Sequence, residues 1–284
     1  MFIYVNGDSN AAGFELSHPS LPSYPGHIPP GVINRSNFLS LDTIFAKAAN
    51  WLESELFQKE KREAGEDLVK QRDLELAWPT KLKNYIDCDV QVNAVPGSST
   101  VRVALTTQLD LINLRNQNKI PDVVILQITD WIRTGTFDLD DVELCQNINS
   151  SPNCDSLRRN FFKAWFDAED EQDMILRYLH HWVMIKHSVK AITGKDPVFI
   201  DSTYELHIKD LLAKAKHPLH LELIEELGWR NFDRSMSMSY YHDTETDYLH
   251  PGLHLSEPVH DKFAKAMAIK LSEIFGVPLL TPNS

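Results

Sequence analysis

Val123-Val124-Ile125-Leu126-Gln127-Ile128, running into Thr129-Asp130-Trp131, is the stretch on which the fold turns. It is an almost unbroken apolar run, the pattern of a parallel strand buried on both faces, whereas a half-exposed strand alternates. Upstream, Val90-Gln91-Val92-Asn93-Ala94-Val95 reads as another strand, closed by Pro96-Gly97-Ser98-Ser99. Between the two, Val101, Leu105, Leu109 and Ile112 mark an amphipathic helix with Ser98, Ser99 or Thr100 as candidate N-cap. The opening run from Phe2 to Val5 is a short strand stopped by Asn6-Gly7-Asp8, and Pro197-Val198-Phe199-Ile200 is a fourth. A helical region is expected from about Leu157 to Ile192, broken near Ala168-Glu169-Asp170. Another spans Ser256 to Phe275, with Ser256 as N-cap and Pro258 in its first turn. Strand and helix alternate along the chain, which predicts an α/β protein, a parallel sheet with helices on both faces.

Other segments are less regular. Residues 17–35 carry five prolines and two glycines and read as an extended surface loop. Leu41-Asp42 opens a helical pattern in Ile44, Phe45, Ala48, Ala49, Leu52 and Leu56, and the charged stretch from Lys59 to Arg72 reads as a solvated helix. Residues 134–155, rich in Asp, Asn, Ser and Cys, look like an insertion. The whole chain, 1–284, is read as one domain with an insertion-rich region around 134–246, long enough to shape a substrate site.

Composition narrows the function. The chain of 284 residues is 43% hydrophobic and 24% charged, ordinary for a globular protein, with a net charge of −12. An acidic balance supplies no basic footprint for nucleic acid, so no nucleic-acid partner is expected. No window approaches ~18 consecutive apolar residues, and the start has neither a basic n-region nor a long apolar core, so no membrane partner and no signal peptide are expected. The expected location is the cytoplasm. Three cysteines, Cys88, Cys145 and Cys154, are few and odd in number; Cys145 and Cys154 lie close enough to bridge, but free thiols are the expectation in a reducing compartment. No Cys/His spacing suggests a zinc site, and no metal or other cofactor is expected.

In a parallel sheet of this kind ligands bind beyond the carboxyl ends of the strands. The first strand ends in Gly7-Asp8-Ser9, a turn that would present a serine hydroxyl at the sheet edge; Ser9 or Asp8 could equally cap a helix there. The second ends at Gly97, whose N–H can approach a ligand without a side chain in the way, or which serves the turn alone. The third ends at Thr129-Asp130. A C-terminal cluster from Tyr240 to Pro258 holds Asp247, His250 and His254, the last just ahead of the closing helix.

In this order, Gly7-Asp8-Ser9, Gly97, Thr129-Asp130, then Asp247 with His250 or His254 resembles the four blocks of the SGNH (GDSL-like) hydrolases. The wording around residues 93–97 and 129–131 looks most like uncharacterised bacteriophage members. The resemblance implies a flavodoxin-like three-layer α/β/α sandwich and a serine esterase or acyl-hydrolase without cofactor, with Ser9 as nucleophile and a histidine as base. It also implies an oxyanion hole to which Gly97 and the residue at position 130 contribute. Two positions depart from the family pattern. Asp130 stands where the family has Asn, and an ionised aspartate has no proton to donate. It would have to be protonated, or be replaced by other donors, or leave activity weak. Pro251 stands where the triad Asp would precede His254; register favours His254 as base, while Asp247 and His250 keep the internal spacing a turn too early, so His250 is the alternative. Asp247 is the expected acid for either, and a Ser–His dyad stays open. The expected substrate is a carbohydrate or other small polar ester, with an O-deacetylase among the readings. The competing reading is a catalytically impaired binding or virion-associated protein, for which Trp131, Trp165, Trp182, Trp229, Tyr240 and Tyr241 could supply a surface, although burial is the commoner place for such aromatics. A nucleotide-binding protein ranks last, because neither G-x-G-x-x-G nor a P-loop follows the first strand.

Overall fold

A computed structural model describes residues 1–12, 71, 73–95, 98–129, 131, 134–137, 143–146, 170–204, 207–242 and 255–280, with backbone alone for Ser9, Asn10, 134–137 and 143–146. Four strands, β1 (Phe2–Asn6), β2 (Asp89–Val92), β3 (Val123–Ile128) and β6 (Val198–Asp201), form one parallel sheet in the order β2-β1-β3-β6. The chain steps from β1 outward to β2, then returns across β1 to β3. The strand order therefore reverses at β1 and β3, and the cleft between their carboxyl ends is the topological switch point.

Alternation of side chains explains why β1 and β3 are apolar apart from Asn6 and Gln127. Tyr4, Val124, Leu126, Ile128 and Phe199 point to one face, where they meet α3 (Thr100–Asn116), α4 (Glu171–Thr193), α5 (Ile208–Lys214) and α6 (Pro218–Leu227). Ile3, Val5, Val123, Ile125 and Ile200 point to the other, onto α2 (Trp78–Lys81) and α7 (Glu257–Phe275). Helices thus cover both faces, and the described chain is an α/β/α sandwich. On the first face Trp182 and Trp229 meet the Phe199 ring edge-on at 5.7 and 5.6 Å, the geometry aromatic quadrupoles favour. Trp131 is buried as well, its indole Nε1 donating to Asp210 Oδ2 at 3.1 Å. These three tryptophans are core, as is commoner for such residues, and do not supply a binding surface; of that set only Tyr240 is broadly exposed among the described residues, and Trp165 lies outside them.

The helix after β2 forms where expected, with Ser99 as the cap: its Oγ accepts from Arg102 N at 3.2 Å. Its expected inner stripe is corrected. Leu105, Leu109 and Ile112 are exposed, and the buried face is Val103, Ala104, Thr107, Leu111 and Leu114. That face lies against the polar end of β1, so it carries small and hydroxyl-bearing residues that satisfy Asn6, and periodicity of the large apolar residues points the wrong way.

The remaining differences have local causes. The long helix begins at Glu171, with Asp170 Oδ1 accepting from Gln172 N at 2.7 Å, so the expected break is its N-cap. It ends at Gly194, whose φ of 77° is a left-handed cap. Within 134–155 the backbone makes an antiparallel pair, β4 (Thr134–Phe137) and β5 (Glu143–Gln146), which composition had concealed. Cys88 is a buried free thiol, pushed up in pKa by burial. The expected loop 17–35, the helical pattern 41–56, most of 59–72 and Cys154 lie outside the described residues. Among the described residues, no helix is long and apolar enough to cross a membrane.

His220, on α6, is buried with no partner for Nδ1, and burial, then the neighbouring His217 charge, lowers its pKa below the ordinary 6.5. Folding therefore favours the neutral ring. Its contribution to stability is complete above about pH 6.5 and shrinks as pH falls through that value toward the lower folded one, because the unfolded chain takes the proton first. His220→Gln is expected to flatten the fall of melting temperature between about pH 7 and 5. An unchanged pH slope in thermal melts would contradict this.

Candidate functional site

The site is assembled from what each strand delivers to the carboxyl edge. At the end of β1, Asn6 is buried, with Oδ1 accepting from Gly7 N at 2.8 Å and Nδ2 donating to Thr106 and Thr107 Oγ1 of α3, each at 2.9 Å. Gly7 is tight against β3: a Cβ there would lie 2.5 Å from Gln127 Cβ and 3.3 Å from Ala11 Cβ. The chain then turns at once into a short helix, α1 (Ser9–Ala12), with Ala12 N donating to Asp8 O at 3.0 Å. Ser9 is thus the first residue of a helix that begins two residues beyond Gly7, directly at the switch point.

The β2 end is tied to the same place. Asn93 N donates to Val5 O at 2.9 Å, and Val95 N to Gly7 O at 3.3 Å, which extends the β1–β2 pairing past the strands. Asn93 Nδ2 and the Tyr4 hydroxyl both donate to Asp110 Oδ2, at 2.5 and 2.7 Å. Burial, then that carboxylate, raises the Tyr4 pKa far above its ordinary value, so the phenol keeps its proton. Ser98 closes on Val95 O through both N and Oγ, at 3.1 and 2.8 Å.

At the β3 end Gln127 and Thr129 are fully buried. Thr129 Oγ1 shares a hydrogen bond with Thr100 Oγ1 at 2.8 Å, and Thr129 O accepts from the Tyr178 hydroxyl at 2.7 Å. The first turn of α3 is thereby fastened to the residue that precedes Asp130. Gln127 Nε2 donates to Asp8, binding the β3 end to the β1 turn.

Two further elements reach this edge. Asp201, the last residue of β6, accepts from His207 Nδ1 at 2.6 Å and from Thr203 N at 3.3 Å, and both partners of the Asp–His pair are buried. Strands lie about 4.8 Å apart, so β6 is roughly 10 Å from β1, beyond hydrogen-bonding reach of the β1 turn. The pair accordingly reads as the anchor of α5, whose N-cap position His207 occupies. On the opposite side Leu255 and Ser256 are buried ahead of α7, Leu255 in the same apolar cluster as Ala11 and Met238. Ser256 holds the N-cap position with extended backbone, yet its Oγ makes no capping bond and no other hydrogen bond.

The positions expected from the sequence fall against this frame unevenly. Ser9 is placed by its backbone. Gly97, Asp130, Asp247, His250 and His254 lie outside the described residues. Of their chain neighbours, Val95 and Ser98 follow β2 and Thr129 follows β3 at the carboxyl edge, and Leu255 packs in the cluster that holds Ala11. Sequence reasoning missed Gln127, Asp110 and the Asp201–His207 pair. A glutamine inside an apolar run and an aspartate amid a helix look unremarkable until their partners are known. Among the described residues no group of three or more His, Cys, Asp and Glu could hold a metal ion.

No family model and no curated protein matches the chain. Among solved structures, a match is a carbohydrate esterase family 2 enzyme with a carbohydrate-binding domain from Corynascus thermopiles (Myceliophthora fergusii), at 11% identity and a TM-score of 0.48. The alignment covers 97% of this chain and 66% of that one, so this chain spans just under two thirds of its length.

Proposed function

We propose that this chain is a serine hydrolase of the SGNH type, cleaving a small polar or carbohydrate ester through a covalent acyl-enzyme. The observation that supports it is the convergence at the switch point. The turn carrying Ser9 is hydrogen-bonded to the approach to Gly97 through Val95 and to β3 through Gln127.

In this reading His254, or His250 in its place, takes the Ser9 proton as Oγ attacks the ester carbonyl. The carbonyl π bond opens to an oxyanion and the alcohol leaves with that proton. Water then attacks the acyl-enzyme, gives its proton to the same imidazole, and releases the acid and free Ser9. Asp247 orients the imidazole and supports its charged form. The N–H of Gly97 and the backbone N–H at the start of α1 serve as donors to the oxyanion. Asp130 assists only when protonated, since its ionised form repels the developing charge. That substitution for Asn favours a second reading, a protein of the same fold that binds its ligand and turns it over poorly.

Incubation with a fluorophosphonate probe separates the two. Stoichiometric modification mapped by mass spectrometry to Ser9 is the expected result; a folded chain that takes up no probe rejects the hydrolase.

A further inference from the structure

We infer that Gln127 is a positioning residue for the Ser9 turn, acting through the carboxylate of Asp8; the inference rests on the serine-hydrolase reading above. Gln127 sits on β3, one strand from β1, and is fully buried at 0% exposure beside Asp8 at 2%. Only the amide nitrogen can donate to a carboxylate, so the orientation of the carboxamide is set by Asp8. Its oxygen, Oε1, has no partner and is shut off from water. An unpaired buried amide oxygen is a standing cost that an apolar residue of the same length, such as methionine, would not carry. The rest of β3 is apolar, so burial gives no reason for an amide at 127, whereas the Asp8 carboxylate does.

The mechanical consequence follows from chain distance. Gly7 has no side chain and lies against Gln127 Cβ, so the backbone of the turn is held on one side by β3. Asp8 is the residue directly before Ser9 and its carbonyl accepts the α1 hydrogen bond from Ala12. Fixing the Asp8 side chain from β3 therefore fixes the first peptide of α1, the peptide that carries the Ser9 N–H. With the donor removed, the buried carboxylate has one partner fewer, a loss that favours a shift of the turn.

The experiment compares probe labelling rates at Ser9 for wild type, Gln127→Met and Gln127→Glu across a pH series, with a thermal melt of each protein at each pH. Gln127→Met keeps length and burial but has no donor, and its labelling is expected to fall about tenfold or more relative to wild type at every pH. Gln127→Glu places two carboxyl groups together, which share a proton at acid pH and repel when both ionise. Its rate relative to wild type is expected to approach one at the acid end and to drop to that of Gln127→Met at the alkaline end, with the chain folded throughout. A purely structural role would move the melts and leave that ratio flat. Labelling of Gln127→Met at the wild-type rate, or a pH-independent ratio for Gln127→Glu, overturns the assignment. Should Gln127→Met not fold, the acid recovery of Gln127→Glu decides alone. A wild-type chain that does not label overturns the hydrolase reading instead, an outcome visible before either variant is made.

Discussion

Ser9→Ala is expected to abolish hydrolysis of an activated acetyl ester such as p-nitrophenyl acetate, lowering kcat/KM by about 10⁴-fold or more while the melting temperature stays near that of wild type. The size follows from the role. Without the hydroxyl there is no acyl-enzyme, and only oxyanion donors and substrate binding remain to accelerate attack by water. The small structural effect follows from position. Ser9 opens a four-residue helix whose described anchoring comes from elsewhere: Asp8 O accepts from Ala12 N, Ala11 is fully buried, and Gly7 O holds Val95. Loss of activity together with loss of the fold would point to a structural serine, and unchanged turnover would remove Ser9 from the chemistry.

Gly7→Ala is the largest expected effect on folding. Gly7 does not have the left-handed backbone that commonly requires glycine; among the described residues positive φ at glycine occurs at Gly194, Gly228 and Gly276. What it needs is space. A Cβ placed 2.5 Å from Gln127 Cβ meets an atom rooted in the central strand, which cannot swing aside as the end of a long side chain could. Either β1 separates from β3 at the switch point or the turn is displaced, and overpacking of this kind costs about 3 kcal/mol or more. Gly194→Ala is the natural control: its φ is 77° but nothing lies within 4 Å of an added Cβ, so only the backbone penalty of about 1 kcal/mol is expected. Urea unfolding of the two variants side by side measures the difference. Equal losses would mean that the approach of β1 to β3 is not limiting.

The two substitutions probe different parts of one turn, and the contrast bears on how the site works. Gly7 and Gln127 set the separation of β1 and β3, Asn6 binds the β1 end to α3, and Val95 carries the same frame to the β2 side. In the proposed function, Ser9, two residues beyond Gly7, takes its backbone position from these contacts. Preorganisation of this kind saves the entropy of ordering the turn when substrate arrives.

How much of this was legible in the sequence depends on how local the physics is. The run 123–128 and the opening strand were readable because burial on both faces favours apolar residues at nearly every position, a signature that survives without knowing the neighbours. The start of α3 was readable because a side chain caps its own turn, Ser99 being one of three candidates, whereas Asp170, read as part of a break, is the N-cap of α4. The inner face of α3 was not, because Thr107 and Ala104 are chosen for Asn6 and close approach to the sheet, and the larger apolar residues were left facing out. The β4–β5 pair hid in a polar stretch, since a hairpin outside the central sheet need not alternate apolar residues.

The sequence alone was enough to establish a parallel α/β chain with polar turns after its strands, because strand burial and turn chemistry are properties of a few consecutive residues. Tertiary structure alone decided which of those turns touch: that Gly7 admits no Cβ, that Gln127 grips Asp8, that Thr100 meets Thr129, and that Asp201 pairs with His207 at a distance from β1. These are contacts between residues 6 to 119 positions apart or, for Gly7, a space bounded by another strand, and the order of strands in a sheet is written in no single segment.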